Sequence, residues 1–491
     1  MDLPTEIWHM ILDEVPDKKT MSRLTRTCRF LRELGIPLLY RRFETFTWDL
    51  HGGQSQYQSL SAFIRTISTN RQLANVVTEM SCVTSAYTKH YDREDLFGKY
   101  SQYDSALVGD VARRLRVPIA NIRMTSGALW GISSTTSFAH QLLVCSLPNL
   151  RTLELKVPSS SEGFNQCLSI WAKAPSNRLW NLTVLKIEEE SIARRFNLAE
   201  VQDLIRYSPN LEYLSLKRCY SITADYDLGL CNLRQLRIVE SRLHREGLTL
   251  CRYCSRLEHF TYVSFGPHWA VDRMPAEIVV ALRPARQTLR RLEIFNFSRD
   301  GPRELHQGIE SLREFEVLET VTLNPGALVS VSDNAAAVDA NGNANANGNG
   351  NNLATNGNTI TAFTNLTQTL QDLSLSPSSS PSSGPRGLIS SKLPTSLKHL
   401  TLVNVSRHLY PAIIELSQSC AEGHFPNLKT VSVSGGPPNP RPGEDWGVLP
   451  TEALDVNDRK VLRGLFEKVS VEFKGQTGWW GRLRGMCDMP V

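Results

Sequence analysis

The sequence predicts an α/β chain: a stack of strand-containing repeats behind a short helical segment. Three observations carry this. A leucine template recurs through most of the chain, the first 42 residues are amphipathic at helical spacing, and a low-complexity tract falls where the template lapses.

The template comes first, because it sets the architecture. The pattern L-x-x-L-x-L, with apolar replacements, occurs at Leu150-Leu153-Leu155, Leu182-Leu185-Ile187, Leu211-Leu214-Leu216 and Leu233-Leu236-Ile238. It continues at Leu257-Phe260-Tyr262, Leu289-Leu292-Ile294, Leu318-Val321-Leu323, Leu370-Leu373-Leu375, Leu397-Leu400-Leu402 and Leu428-Val431-Val433. A degenerate copy stands at Val77-Met80-Cys82. The first positions are separated by 32, 29, 22, 24, 32 and 29 residues, then by 52, 27 and 31. Most lie near the period of about 20–29 residues of leucine-rich repeats. Positions four and six point the same way on a strand and line the core, while the residues between them face a concave surface. The longer repeats have room for an outer helix, as at 197–207. No unit buries its own edge, so the units stack into a solenoid. Several copies open on Pro-Asn-Leu (148–150, 209–211, 426–428), where proline ends the preceding segment. The regular asparagine of the standard template is missing.

The N-terminal segment reads as three short helices. Pro4 suits a helix start. Ile7, Ile11 and Val15 recur at four-residue spacing beside Trp8 and Leu12. Pro16-Asp17 breaks the first helix and Asp17 can cap the second. Leu24, Cys28 and Leu31 follow at helical spacing, and Gly35 and Pro37 are expected to interrupt the chain before Leu38-Leu39-Tyr40. About 40 residues bury too little surface to stand alone, so these faces call for a partner, either another protein or the rest of the chain.

The tract at 332–358 is mostly Ala, Asn and Gly, and a Ser/Pro-rich run follows from Ser376. Such segments hold too little apolar surface to offset the entropy of ordering. The expectation is a largely disordered insertion over 326–389, with the Leu370 copy inside it. Between the N-terminal helices and Leu150 the register is irregular, with helices expected near 57–68 and 105–116. Trp479-Trp480 is read as a cap on the last repeat.

Composition excludes several functions. The 491 residues carry 54 Lys+Arg against 49 Asp+Glu, and a net +5 without a long basic run does not suit nucleic-acid binding. The ten scattered cysteines do not suit a disulfide-stapled secreted domain. The N-terminus lacks the pattern of a secretory signal, and apolar runs such as 278–282 are far short of the roughly 20 residues that span a bilayer. A soluble intracellular protein, cytoplasmic or nuclear, with reduced thiols and no membrane contact is expected. The chain shows no Gly-rich phosphate loop, H-E-x-x-H or G-x-S-x-G, so no catalytic residue, metal or cofactor is expected. Cys251 and Cys254 have C-x-x-C spacing but no second ligand pair, and read as core thiols. The alternating charges of the concave positions suit a protein partner better than a polyanion. Tyr213, Lys217, Arg237, His259, Arg291 and Glu293 are the candidate contacts there, with His399 beside them.

The run Leu3-Pro4-Thr5-Glu6-Ile7, with Ile11, Val15, Leu24, Thr27-Cys28-Arg29, Leu31 and Pro37-Leu38-Leu39-Tyr40, closely resembles the F-box motif, most strongly that of filamentous fungi. The resemblance covers under a tenth of the chain. It implies a helical clamp on a Skp-type adaptor, which in turn binds a cullin. The adaptor contacts or their direct supports would be Leu3, Pro4, Ile7, Ile11, Leu24, Cys28 and Leu31. The expected organisation is then an F-box at 1–42, a linker with irregular first repeats at 43–149, a leucine-rich-repeat solenoid at 150–325, the insertion at 326–389, and last repeats with a cap at 390–491. The expected function is non-catalytic: substrate recognition for a ubiquitin ligase, with a protein-interaction scaffold as the alternative. The substrate itself is not legible.

Overall fold

The computed structural model describes residues 3–15, 17–44, 62–83, 109–115, 142–157, 179–189, 196–198, 201–221, 228–241, 243, 247–265, 275–297, 308–324, 327–328, 389–403, 405, 409–434 and 454–476. The expected disorder of the insertion, the Leu370 copy and Trp479-Trp480 lie outside these residues.

Three helices open the chain: α1 (Thr5–Asp13), α2 (Lys18–Leu24) and α3 (Arg29–Arg41). The Pro4 carbonyl accepts the first bonds of α1, from the Ile7 and Trp8 N–H groups. Asp17 caps α2 by accepting from the Thr20 N–H at 2.7 Å. The expected interruption at Gly35 and Pro37 does not occur, since α3 runs through both. Gly35 is buried where α3 crosses α2, and a Cβ there would meet Thr25 Cγ2 at 2.6 Å. α3 thus continues past Pro37 with Gly35 packed closely on the end of α2.

The strands are β1 (Arg42–Glu44), β2 (Glu79–Val83), β3 (Thr152–Val157), β4 (Val184–Glu189), β5 (Phe196–Asn197), β6 (Tyr213–Lys217), β7 (Cys219–Ser221), β8 (Gln235–Val239), β9 (His259–Phe265), β10 (Arg291–Phe297), β11 (Thr320–Leu323), β12 (His399–Val403), β13 (Thr430–Ser434) and β14 (Glu472–Gln476). All but β5 and β7 form one parallel sheet of 12 strands in chain order, open at both edges; β5 and β7 pair separately.

The order follows from the leucine template. Residues of position four lie side by side from Met80 through Leu153, Leu185, Leu214, Leu236, Phe260, Leu292, Val321, Leu400 and Val431 to Phe473. Every one is buried, and so are the first-position leucines 150, 182, 211, 233, 257, 289, 318, 397 and 428. Each such side chain contributes about 1.5–3 kcal/mol by leaving water. Because neighbouring repeats supply the covering surface, the contribution exists only in the stack. Helices between strands, including Leu248–Arg252, Pro275–Ala281, Tyr410–Ala421 and Val456–Glu467, carry buried residues of the same core. Residues 62–69 and 109–114 are also helical, near the expected positions.

The strand pairing adds detail at three places. The repeat stack begins at β1, because α3 leads directly into Arg42, whose strand pairs with β2. The degenerate copy at Val77-Met80-Cys82 supplies β2, one of the irregular first repeats expected within 43–149. β11 pairs directly with β12, Thr320 opposite His399. Ala327 and Leu328, placed at the insertion's start, are buried in the core, and Lys392 Nζ donates to the Leu328 carbonyl at 2.6 Å. Finally, β14 adds a strand that the leucine template did not mark, with Gly475 opposite Val433 at the sixth position.

Side-chain amides tie successive repeats together just before each strand. Asn149 donates to the Asn75 carbonyl at 2.7 Å, Asn181 to Pro148 at 2.8 Å and Asn210 to Trp180 at 2.8 Å. Asn232 donates to Pro209 at 3.1 Å and Asn427 to Thr395 at 3.2 Å. Each asparagine precedes the first leucine of its repeat, and each acceptor stands two residues before the first apolar position of the previous one. Thr288 fills the same place with a hydroxyl, donating to the Ser255 carbonyl at 3.2 Å. At the far end of the strand, Ser241 occupies the position that the standard template gives to asparagine. Its buried hydroxyl accepts from the Cys219 N–H at 2.8 Å and donates to the Val239 carbonyl at 2.8 Å.

Candidate functional site

Two surfaces hold the residues marked from the sequence: the outer side of α1–α3 and the open face of the sheet.

On α1 only Leu12 is buried. Leu3 (47% exposed), Ile7 (39%), Met10 (64%) and Ile11 (45%) are open, and Phe30 at the start of α3 joins them at 43%. Ile7, Met10 and Ile11 fall on one stripe of α1, and Leu3 stands just ahead of the helix, before its Pro4 cap. Trp8 and Phe30 meet edge to face, with ring centroids 5.9 Å apart, which joins the two helices beside that stripe. Of the residues marked from the sequence, Leu3, Pro4, Ile7, Ile11 and Cys28 are exposed, and Leu24 and Leu31 are half-buried. Cys28 also has a local task, because its Sγ accepts from the Leu31 N–H at 3.5 Å at the start of α3. Met10 and Phe30 were not marked. The four-residue spacing singled out Ile7, Ile11 and Val15, but the i, i+3, i+4 pattern from Ile7 already contains Met10.

The open face consists of the residues alternating with the buried template positions. Tyr213, Gln235, His259, Arg291, Thr320, His399 and Thr430 form one row; Lys186, Ser215, Arg237, Thr261, Glu293, Thr322, Thr401 and Ser432 form the next. Parallel pairing thus brings five of the six marked residues into two adjacent rows. Lys217 lies in a third row, where it pairs with Glu188 at 2.7 Å. Their accessibilities differ. Tyr213 is buried, and Glu293 is only 2% exposed. Glu293 accepts from Arg291 Nε at 2.8 Å and Nη2 at 2.5 Å through Oε1, and from the Thr261 hydroxyl at 2.9 Å through Oε2. Its carboxylate is therefore committed within the sheet, and Arg291 is the half of that pair which reaches the surface, with its side chain 41% exposed. Burial, with the Arg291 charge next, holds the half-buried His259 imidazole below its ordinary pKa. His399 is exposed, with Nδ1 3.3 Å from Thr430 Oγ1.

The third row also shows what alternation alone did not reveal. Val239, Val263, Phe295 and Val403 have open-face parity yet are buried, so the polar surface gives way to an apolar border toward the strand ends. Just past β6 and β8, Arg218 (φ 60) and Glu240 (φ 50) adopt the left-handed conformation, which is uncommon without glycine. They are joined by an Arg218 Nε–Glu240 Oε2 ion pair of 2.6 Å.

Cys251 and Cys254 lie in the core as free thiols, and burial raises the Cys251 pKa to about 12. No cluster of His, Cys, Asp and Glu suited to a metal occurs among the described residues. No helix among them is long and apolar enough to cross a membrane. A scan against protein-family models finds no match, and a search of curated proteins finds no significant relative.

Proposed function

We propose that this chain is the substrate-recognition subunit of a Skp–cullin–F-box ubiquitin ligase, with α1–α3 as the F-box and the stacked strands as a leucine-rich-repeat solenoid. The observation that supports this best is the apolar stripe of Ile7, Met10 and Ile11 with Leu3 and Phe30 beside it, on helices whose only buried α1 residue is Leu12. A surface of that kind is costly to leave in water and is characteristic of a docking site. Three of its residues, Leu3, Ile7 and Ile11, are among those that carry the F-box resemblance. In this reading the adaptor covers the stripe, the cullin follows through the adaptor, and the open face of the sheet holds a protein substrate. The chain makes and breaks no bond itself; it raises the effective concentration of a substrate lysine near the conjugating enzyme.

A second reading has its own support. Because α3 leads straight into β1, the edge strand, the helices stand at the first end of the sheet, where a scaffold unconnected with ubiquitin would carry a terminal cap.

Co-expression of the full chain with a Skp-type adaptor separates the two. Ile7→Asp/Ile11→Asp removes two anchors worth about 1.5–3 kcal/mol each, about a hundredfold or more in affinity. Both side chains are exposed, so the thermal melt is expected to stay in place. Co-purification of the intact chain and its loss in the variant supports the ligase reading. A folded intact chain that recovers no adaptor leaves the scaffold.

A further inference from the structure

The open face carries many charges, and several of its cations are neutralised within the sheet. Lys217 is held by Glu188 at 2.7 Å, Arg291 by Glu293 at 2.5 Å and Lys474 by Glu472 at 2.9 Å, and at the strand ends Arg218 is held by Glu240. Arg42 pairs with Glu44 on its own strand. Lys186 and Arg237 differ: neither makes an ion pair or a side-chain hydrogen bond among the described residues. Both belong to the second row, where Lys186 is the register partner of Ser215 and Ser215 that of Arg237. The Ser215 hydroxyl is likewise uncommitted among the described residues. Two cations therefore flank a hydroxyl on three adjacent strands.

We propose that Lys186, Ser215 and Arg237 form the anion-binding centre of the open face, and that its ligand is an acidic side chain, carboxylate or phosphate, of a protein partner. This rests on the open face being the partner surface, but not on adaptor binding by α1–α3. Strands in a sheet are about 4.8 Å apart, so the two basic residues start about 10 Å apart at their Cα atoms. Their long side chains can close on one anion from opposite sides, with the hydroxyl beneath it. Charge-assisted hydrogen bonds of this kind are the strong ones. The backbone beneath is fixed by parallel partners on both sides of β6, so little ordering is needed on binding. The two cations are not equivalent. Glu154 is the register neighbour of Lys186 on its other side. Arg237 lies between Ser215 and Thr261, with no acid adjacent in its row, and is the stronger contact. A nucleic acid is disfavoured, because Glu154 lies in the same row and would meet a following phosphate.

The test uses the full chain and three fluorescent peptide pools with randomised flanks and a central phosphoserine, glutamate or serine. At about 0.1 M salt, where exposed charges still interact over roughly 10 Å, at least one acidic pool is expected to bind tenfold or more tightly than the serine pool. The phosphoserine-to-glutamate ratio then names the source of the anion. Arg237→Gln is expected to reduce the advantage about tenfold and Lys186→Gln/Arg237→Gln to remove it. Ser215→Ala should lose less. Arg286→Gln, in the connection after the 283–285 turn of 3-10 helix, is the control and should change nothing. Equal binding of all three pools overturns the proposal, as does an advantage that survives the double variant or falls equally with Arg286→Gln. A chain that selects acidic pools but recovers no adaptor keeps this inference and loses only the ligase reading.

Discussion

The Asn210 side-chain amide donates to the Trp180 backbone carbonyl at 2.8 Å, one rung of a ladder that Asn149, Asn181, Asn232 and Asn427 repeat along the stack. The bond spans two repeats, so it stabilises an interface and not a unit. Asn210→Ala is expected to cost about 1 kcal/mol, read as a lower urea midpoint. Asn210→Asp should cost more, because it turns a donor into an acceptor that faces a carbonyl. If both variants melt with the wild type, the ladder adds nothing beyond the leucine packing.

Gly35 is the place where the N-terminal helices are most sensitive to added volume. Its missing Cβ leaves room for Thr25 Cγ2, which would otherwise lie at 2.6 Å, and Met21 Sδ is at 3.3 Å. Alanine is the better helix former, and at an exposed site it would add about 1 kcal/mol. Here overpacking outweighs that, and Gly35→Ala is expected to destabilise the α2–α3 pair by about 1–3 kcal/mol. Limited proteolysis reads this directly: cleavage near residues 14–28 should accelerate while the fragments of the strand stack stay unchanged. Gly35→Ala/Thr25→Ser, which removes the clashing methyl, should restore much of the resistance. A Gly35→Ala chain as resistant as the parent would show that the helices do not cross this closely in solution.

The described cysteines range from exposed to fully buried. Cys28 and Cys231 are exposed, whereas Cys82, Cys251 and Cys254 are buried. Burial raises the Cys251 thiol from an ordinary 9.0 to about 12. The sign of the linkage follows: as pH rises past 9 the unfolded thiol ionises first, so its contribution to stability is complete below that value and declines until about 12. Mass mapping after brief alkylation at pH 8 should find Cys28 and Cys231 modified, with Cys251 and Cys254 protected until denaturant is added. Labelling of Cys251 in the folded chain would contradict its place in the core.

What the sequence revealed and what it concealed have physical causes. Leucine period and parity alone place Leu185, Leu214 and Leu236 side by side, because a two-residue strand alternation and a repeat of fixed register leave no other arrangement for the apolar edge. They also place Arg237 and Glu293 on the open face. They do not reveal that Glu293 is buried there, since that depends on Arg291 and Thr261 from its own and the neighbouring strand. Nor do they reveal the apolar border at Val263 and Phe295, which has the parity of a solvent position. Pro37 misled in the opposite direction: it reads locally as a break, yet α3 runs through it. The Pro-Asn-Leu phrase was visible, with proline as its apparent point, while the asparagine carries the bond between repeats.

The direct pairing of β11 with β12 makes a strong prediction about the residues between them. Thr320, Val321, Thr322 and Leu323 stand opposite His399, Leu400, Thr401 and Leu402 without an intervening strand. The segment's two roots are already joined, since the Leu312 N–H donates to the Lys392 carbonyl at 2.7 Å and Lys392 Nζ donates to Leu328. The expectation is that the stack does not need residues 329–388. Replacing them with about six Gly/Ser residues shortens the closed loop about tenfold, which lowers the closure entropy by about 2 kcal/mol. The shortened chain is expected to fold, to melt at a slightly higher denaturant concentration, and to keep any binding by the open face. The outcome that defeats this is an insoluble or less stable shortened chain, which would mean that the segment supplies packing the repeats cannot do without.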